Sequence, residues 1–215
     1  MKSKKIIDFY LICYRLKNLI RTGWLDWHLN KDRVESVAEH IYGTQMLAIS
    51  MYSEYNYDID LEKVIMMLAV HELEETIIGD LVFFDIDKDE KLKIGHDAVE
   101  NILKDLLKGE EIKKYIYEFD ERKTKEAKFA YNCDKLECDI MCKLYDDEGY
   151  FPLESIEAAT HIRNHKAKDI IRSGEATLSD LWIENDINVI GYDDNFMEVA
   201  KYIKNNHITD NLQEK

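Results

Sequence analysis

Helix breakers are scarce in this 215-residue chain: Pro152 is its single proline, and glycine is limited to eight positions. With so few breakers and no strand-like alternation, an all-α chain is expected, and a flexible multidomain string is not. Long apolar runs are missing as well. No segment nears the roughly 20 residues of a membrane-spanning helix. Met1-Lys2-Ser3-Lys4-Lys5 begins like a signal peptide, but Asp8 interrupts the apolar run and Arg15 and Lys17 follow, so secretion is not expected. Basic residues are in deficit, 29 Lys and Arg against 44 Asp and Glu, for a net charge of -15. That field repels nucleic acid and anionic membrane at long range, so neither is expected as a partner. Of the four cysteines no two form a CxxC pair, which argues against a zinc cluster and for reduced thiols in a cytoplasmic protein.

What is present is helical periodicity. Apolar positions recur through residues 4–22, a loop is expected over 23–34, and a helix is expected from Glu35 or Ser36 to about Tyr55. Asp60 is placed to cap a third helix over 61–78, apolar nearly all round and therefore expected to be buried. Further helices are expected at 91–107, 110–121, 123–147, 153–173, 178–185 and 193–205, with a polar, frayed tail after His207. There is no internal repeat or low-complexity linker, so residues 1–215 are read as one domain, with residues 151–215 as additional C-terminal helices.

Four polar residues interrupt these apolar faces: His40, the dipeptide His71-Glu72, and Asp134. Polar groups on buried helix faces are costly unless paired or coordinating. Two imidazoles and two carboxylates on three helices suit one divalent transition metal, with Co, Mn, Fe, Ni and Zn all compatible. Spacing alone leaves metal ligation and ordinary buried hydrogen bonding about equally open. His161 and His165 lie four apart but lack an HExxH-type glutamate, and read as surface or capping residues. His96 and His207 have no ligand partner visible in the sequence. The run Tyr145-Asp146-Asp147-Glu148 lacks calcium-loop spacing and reads as a charged helix end.

The order and spacing of these residues resemble the HD-domain metal phosphohydrolases, whose pattern is H…HD…D, and within them the 5'-deoxynucleotidase-like branch. Arg21-Thr22-Gly23-Trp24 and Arg33-Val34-Glu35-Ser36-Val37-Ala38-Glu39-His40 resemble the opening of that branch. The segment from His71-Glu72 through Glu75 to Gly79-Asp80 resembles its HDxxExxxGD motif, and Glu126-Ala127-Lys128-Phe129 with Asp134-Lys135 resembles the part carrying the last ligand. The likeness covers about residues 5–150. One position departs from the pattern: Glu72 stands where the family has aspartate, so its oxygens reach about 1.5 Å further, roughly one C–C bond.

The resemblance implies an HD-type bundle of about seven to nine helices, with His40, His71, Glu72 and Asp134 as metal ligands. It implies hydrolysis of (deoxy)nucleoside 5'-monophosphates, with Glu75, four residues after His71, as general acid/base. Asp80 matches the sugar-side aspartate, and Arg21 and Arg33 are the phosphate contacts, a guanidinium being able to grip two oxygens. Trp24 packs beside the sugar or base, or plugs the core. A homodimer is implied too. The alternatives are an HD-type phosphohydrolase acting on another nucleotide or a phosphodiester, and a non-catalytic helical regulatory protein whose metal site has drifted. An acid kept at Glu75 weighs against drift.

Overall fold

The computed structural model describes residues 1–81, 87–159 and 165–209. Among these residues all regular structure is helical, apart from one isolated antiparallel bridge between Ile20 and Ser36. The helices are α1 (Lys2–Tyr14), followed by a 3-10 turn at Arg15–Lys17, α2 (Thr22–Asp26), α3 (Val37–Glu54), α4 (Leu61–Val70), α5 (Glu75–Ile78) and α6 (Lys88–Leu103). They continue with α7 (Gly109–Glu121), α8 (Lys125–Asp147), α9 (Leu153–Ala158), α10 (His165–Ser173), α11 (Leu178–Val189) and α12 (Asp194–Asn205). The all-α expectation holds. No helix of the described residues is long and apolar enough to cross a membrane.

The chain forms two compact units. The first holds Met1–Thr22 and Glu35–Cys133, and the second holds Gly23–Val34 and everything from Asp134 onward. In the first unit α4 packs on α3 and α7, and α6 packs on α5 and α7. One core cluster there joins Leu73, Val99, Ile102, Leu103 and Ile116, with Phe9, Ile12 and Cys13 of α1 against it. Each such aliphatic side chain contributes about 1.5–3 kcal/mol on full burial. Gly109 is fixed by sterics, since a Cβ there would lie 2.2 Å from the Leu103 carbonyl oxygen.

The second unit is organised by aromatics. Trp24 is 3% exposed and meets Tyr145 edge-on at 5.3 Å and Trp182 in a stacked pair at 5.6 Å, with Trp27 and Phe151 completing the cluster. The run from Tyr145 to Glu148 is more than a charged helix end. Tyr145 is core, Asp146 accepts from the Ser179 amide at 2.8 Å, and Asp147 pairs with Lys143 at 2.9 Å. All four cysteines are free thiols.

Several expected boundaries shift for visible reasons. The helical rhythm of 4–22 divides at the 3-10 turn, after which Leu19 and Arg21 bond to α3's entry strand-fashion. Residues 23–34 begin inside the short α2 rather than in a loop. The helix predicted over 61–78 breaks after Val70, and Met66 and Ala69 are exposed, so it is not buried all round. The helix predicted over 153–173 appears as α9 and α10, with 160–164 outside the described residues. His161, the side chain of His165 and the end of the tail also lie outside them.

One buried acid in the second unit gives a pH prediction. Asp139 on α8 is fully buried and accepts from the Tyr192 hydroxyl at 2.8 Å. Burial, with the Asp186 carboxylate adding to it, pushes its pKa up to about 8. The folded protein therefore keeps a proton that the unfolded chain releases near pH 4 (~3.9). The stability tied to that proton is complete below about pH 4 and is lost as pH rises to about 8, at up to about 1.4 kcal/mol per pH unit. Asp139→Asn should flatten this slope in chemical denaturation at about pH 5 and about pH 8. An unchanged slope in the variant would show that Asp139 is not the titrating group.

Candidate metal centre

His40 owes its position to the way α3 begins. Ser36 caps the helix: its hydroxyl accepts from the Glu39 amide at 3.3 Å, while Glu39 Oε2 accepts from the Ser36 amide at 2.8 Å. Such reciprocal caps stabilise a helix start by about 1 kcal/mol. Two backbone bonds fasten the same point to the preceding segment, Arg21 N–H to the Glu35 carbonyl at 3.1 Å and Val37 N–H to the Leu19 carbonyl at 2.8 Å. His40 is thereby carried one turn into α3, fully buried, and Arg21 is held beside the helix start.

His71 and Glu72 sit where α4 stops. The His71 imidazole donates from Nδ1 to the Leu68 carbonyl at 2.8 Å, occupying an oxygen that a continuing helix would offer to the amide four residues on. The chain then proceeds by i→i+3 bonds, Leu73 N–H to Val70, Glu75 N–H to Glu72 and Thr76 N–H to Leu73. Glu75 consequently opens α5 rather than following His71 on one continuous helix face. Donation from Nδ1 fixes the tautomer and leaves the lone pair on Nε2, 3.7 Å from Glu72 Oε1 and beyond hydrogen-bonding distance. The same Glu72 oxygen lies 3.6 Å from Arg21 Nη1.

Asp134 follows Cys133 directly on unbroken α8, whose earlier turns bury Ala127, Ala130 and Cys133. Lys135 Nζ pairs with its Oδ2 at 2.9 Å. One ligand atom each from His40, His71, Glu72 and Asp134 lies within 4.8 Å of all the others. The rings of His40 and His71 stand 5.6 Å apart. An imidazole fixed through its Nδ1–H by a backbone carbonyl, a second buried imidazole and two carboxylates fit a borderline divalent cation.

Around this group the charges are unusually concentrated. Glu75 is 2% exposed, its Oε2 has no hydrogen-bond partner, and Lys91 Nζ stands 3.8 Å from Oε1. Burial holds its pKa well above the ordinary carboxylate range. Glu72 and Asp80 push the same way, and Arg21 and Lys91 push against them. Burial, with Glu72 adding, also raises Glu74 to about 8. Asp80 Oδ2 accepts from the Thr22 amide at 2.6 Å. Arg33 lies on an exposed loop of the second unit, and Trp24 is core there.

Some participants were hidden from the sequence. Lys91 reaches Glu75 from α6, and no motif announces it. Lys135 was readable only as the second half of the Asp134-Lys135 dipeptide. His96 has a partner after all, Asp120 Oδ2 at 2.8 Å, and His207 Nδ1 lies 3.5 Å from Asp147.

Two histidines and two carboxylates presented by helices, all but Glu72 buried, form a candidate metal centre. The HD domain profile matches residues 13–177, and the chain belongs to the HD domain family. It is 32% identical over 152 residues to the 5'-deoxynucleotidase HDDC2 of Dictyostelium discoideum, covering 67% of this chain and 79% of that protein. It is 31% identical over 157 residues to the 5'-deoxynucleotidase hdd1 of Schizosaccharomyces pombe, covering 70% and 76%. Among solved structures, a protein from Magnetospirillum magnetotacticum described as a predicted metal-dependent phosphohydrolase superposes with a TM-score of 0.66. That match is 16% identical, covers 97% of this chain and 96% of the other, and speaks for the fold alone.

Elemental analysis tests the ligand set. Purified protein loaded with Mn or Co should retain close to one ion per chain, and His71→Ala or Glu72→Ala should lower retention by at least about tenfold. Full retention by Glu72→Ala would remove Glu72 from the set.

Proposed function

We propose that this chain is a metal-dependent phosphohydrolase that converts (deoxy)nucleoside 5'-monophosphates to nucleoside and phosphate. The observation that carries the reading is Glu75. It is a fully desolvated acid three residues past Glu72, beside the His40–His71–Glu72–Asp134 cluster, and a packed core has no use for it. The names of the relatives support the substrate class.

His40, His71, Glu72 and Asp134 would hold the ion, whose identity stays open among Co, Mn, Fe, Ni and Zn. A bound divalent ion lowers the pKa of water and neutralises charge on a phosphoryl oxygen. The protein's own groups supply the rest. Arg21, 3.6 Å from Glu72, is placed to take a phosphate oxygen, and its guanidinium adds positive charge in a strongly acidic chain. Burial, with Glu72 and Asp80 adding, raises the Glu75 pKa and so favours the protonated form that a general acid giving its proton to the leaving 5'-oxygen needs. Lys91 Nζ, 3.8 Å from Glu75 Oε1, would pair with the carboxylate that Glu75 becomes on giving up its proton. Water supplies the oxygen of the released phosphate, so the balance is ester plus water to alcohol plus phosphate.

Asp80 is proposed as the sugar-side acid, accepting from a 3'-hydroxyl and disfavouring a 2'-hydroxyl. Arg33 as a second phosphate contact and Trp24 beside the base rest on the resemblance. So does the homodimer, whereas the single-domain reading rests on the lack of an internal repeat or linker and the cytoplasmic setting on the reduced thiols. The family match over 13–177 supports one domain, since it runs through segments of both compact units.

Metal-loaded protein should release phosphate faster from deoxynucleoside than from ribonucleoside monophosphates, and Asp80→Ala should narrow the difference. Equal rates in the parent protein would end the sugar-sensing role. Glu75→Gln should keep its metal and lose about 10²–10⁴-fold in turnover. Turnover unchanged in that variant, or a phosphodiester hydrolysed in preference to every monophosphate, would overturn the proposed reaction.

A further inference from the structure

Asp80 has little support from its own segment. It follows α5, a helix of four residues that ends at Gly79 with φ +78°, a conformation glycine adopts freely. A single helical turn has little rigidity of its own, because helix formation is cooperative and its first turn is unfavourable. Yet a sugar-side acid needs a fixed carboxylate. It must accept from one hydroxyl and refuse the hydroxyl on the adjacent carbon, and a carboxylate free to swing back would admit both.

Two groups from elsewhere in the first unit hold it. The Thr22 amide donates to Asp80 Oδ2 at 2.6 Å. Thr22 is itself fixed, since the neighbouring Arg21 amide donates to the Glu35 carbonyl at 3.1 Å and Ile20 bridges to Ser36. From the other side, Lys91 Nζ donates to the carbonyl of Leu81, the residue after Asp80, at 2.6 Å. Lys91 lies in the first turn of α6, whose start is secured by Asp87. The Asp87 side chain accepts from the Asp89 amide at 2.9 Å, and its carbonyl accepts from the Lys91 amide at 2.8 Å. The Lys91 ammonium also stands 3.8 Å from Glu75 Oε1, so its place is set from two directions.

We propose that the Thr22 amide and the Lys91 ammonium are positioning groups that set the sugar selectivity of the site. Clamped through Oδ2 and through the peptide that follows it, Asp80 keeps Oδ1 for the 3'-hydroxyl and resists displacement by a 2'-hydroxyl. The inference rests on the nucleotidase reading and on Asp80 as its sugar-side acid. The clamp also joins the two ends of the substrate. Arg21, placed for the phosphate, and Thr22, which holds the sugar-side acid, are consecutive residues, so one peptide carries both contacts. A backbone donor already ordered by its neighbours loses no side-chain entropy when it holds Asp80.

Thr22→Pro, Lys91→Met and Asp80→Ala test the clamp, each Mn-loaded and compared on dAMP and AMP, which differ only at the 2' position. Thr22→Pro removes the amide donor at the first residue of α2, where proline is well tolerated. Lys91→Met removes the ammonium and keeps an apolar stem. Each should lower the dAMP-to-AMP ratio of kcat/KM toward that of Asp80→Ala, by about tenfold, since an ångström of misplacement can cost about 10²-fold. The lost Glu75 pairing in Lys91→Met slows both substrates in common and cancels in the ratio. Unchanged circular dichroism and metal retention establish that the variants keep fold and ion. Amide hydrogen exchange reads the clamp without turnover: Asp80→Ala should speed exchange at the Thr22 amide by at least about tenfold. A parental ratio in either clamp variant, while Asp80→Ala lowers it, would overturn the proposal and leave the nucleotidase reading standing. Thr22 exchange indifferent to Asp80→Ala would overturn it too. Equal rates on the two substrates in the parent protein would sink the sugar-side reading itself, and this inference with it.

Discussion

The hydrogen bond from His71 Nδ1 to the Leu68 carbonyl is the constraint on which the site depends. It falls where α4 ends and the chain tightens into i→i+3 turns. It also decides the imidazole tautomer, leaving Nε2 as the ligand atom. The turn of the backbone and the choice of ligand atom therefore meet at one residue. Glu72 and Glu75 take their places from the same turn, one beside the His71 ring and the other opening α5.

The remaining ligands are presented by elements held independently of that turn. Ser36 and Glu39 cap α3 at the point where Leu19 and Arg21 are bonded to it, so His40 and Arg21 share one anchor. Asp134 rides on α8, whose first turns bury Ala127, Ala130 and Cys133. Three separately stabilised supports converge on one buried cluster of imidazoles and carboxylates. Burial first, and the Glu72 carboxylate second, raise the pKa of both Glu74 and Glu75 beside the cluster. The concentration of acids is a cost in stability that a divalent ion would offset.

Most of the helices were legible in the sequence because apolar periodicity and caps are local signals. Asp60, Thr177 and Asp193 all cap where a helix starts. The four clustered polar residues were visible as interruptions of apolar faces, and the motif order sharpened them. What periodicity could not show was the break after Val70. Residues 61–78 have helical spacing throughout, and apolar spacing is the same whether the turns at 71–74 close by i→i+4 or by i→i+3 bonds. Lys91 was invisible for a related reason, because it approaches Glu75 across the packing of α5 on α6.

The family assignment and the cluster leave the cation itself as the central claim. The most direct measurement is anomalous diffraction from crystals grown with Mn. The account predicts one strong peak, about 2.0–2.3 Å from His40, His71, Glu72 and Asp134 together. A peak elsewhere, or none at this cluster at saturating Mn, would contradict it.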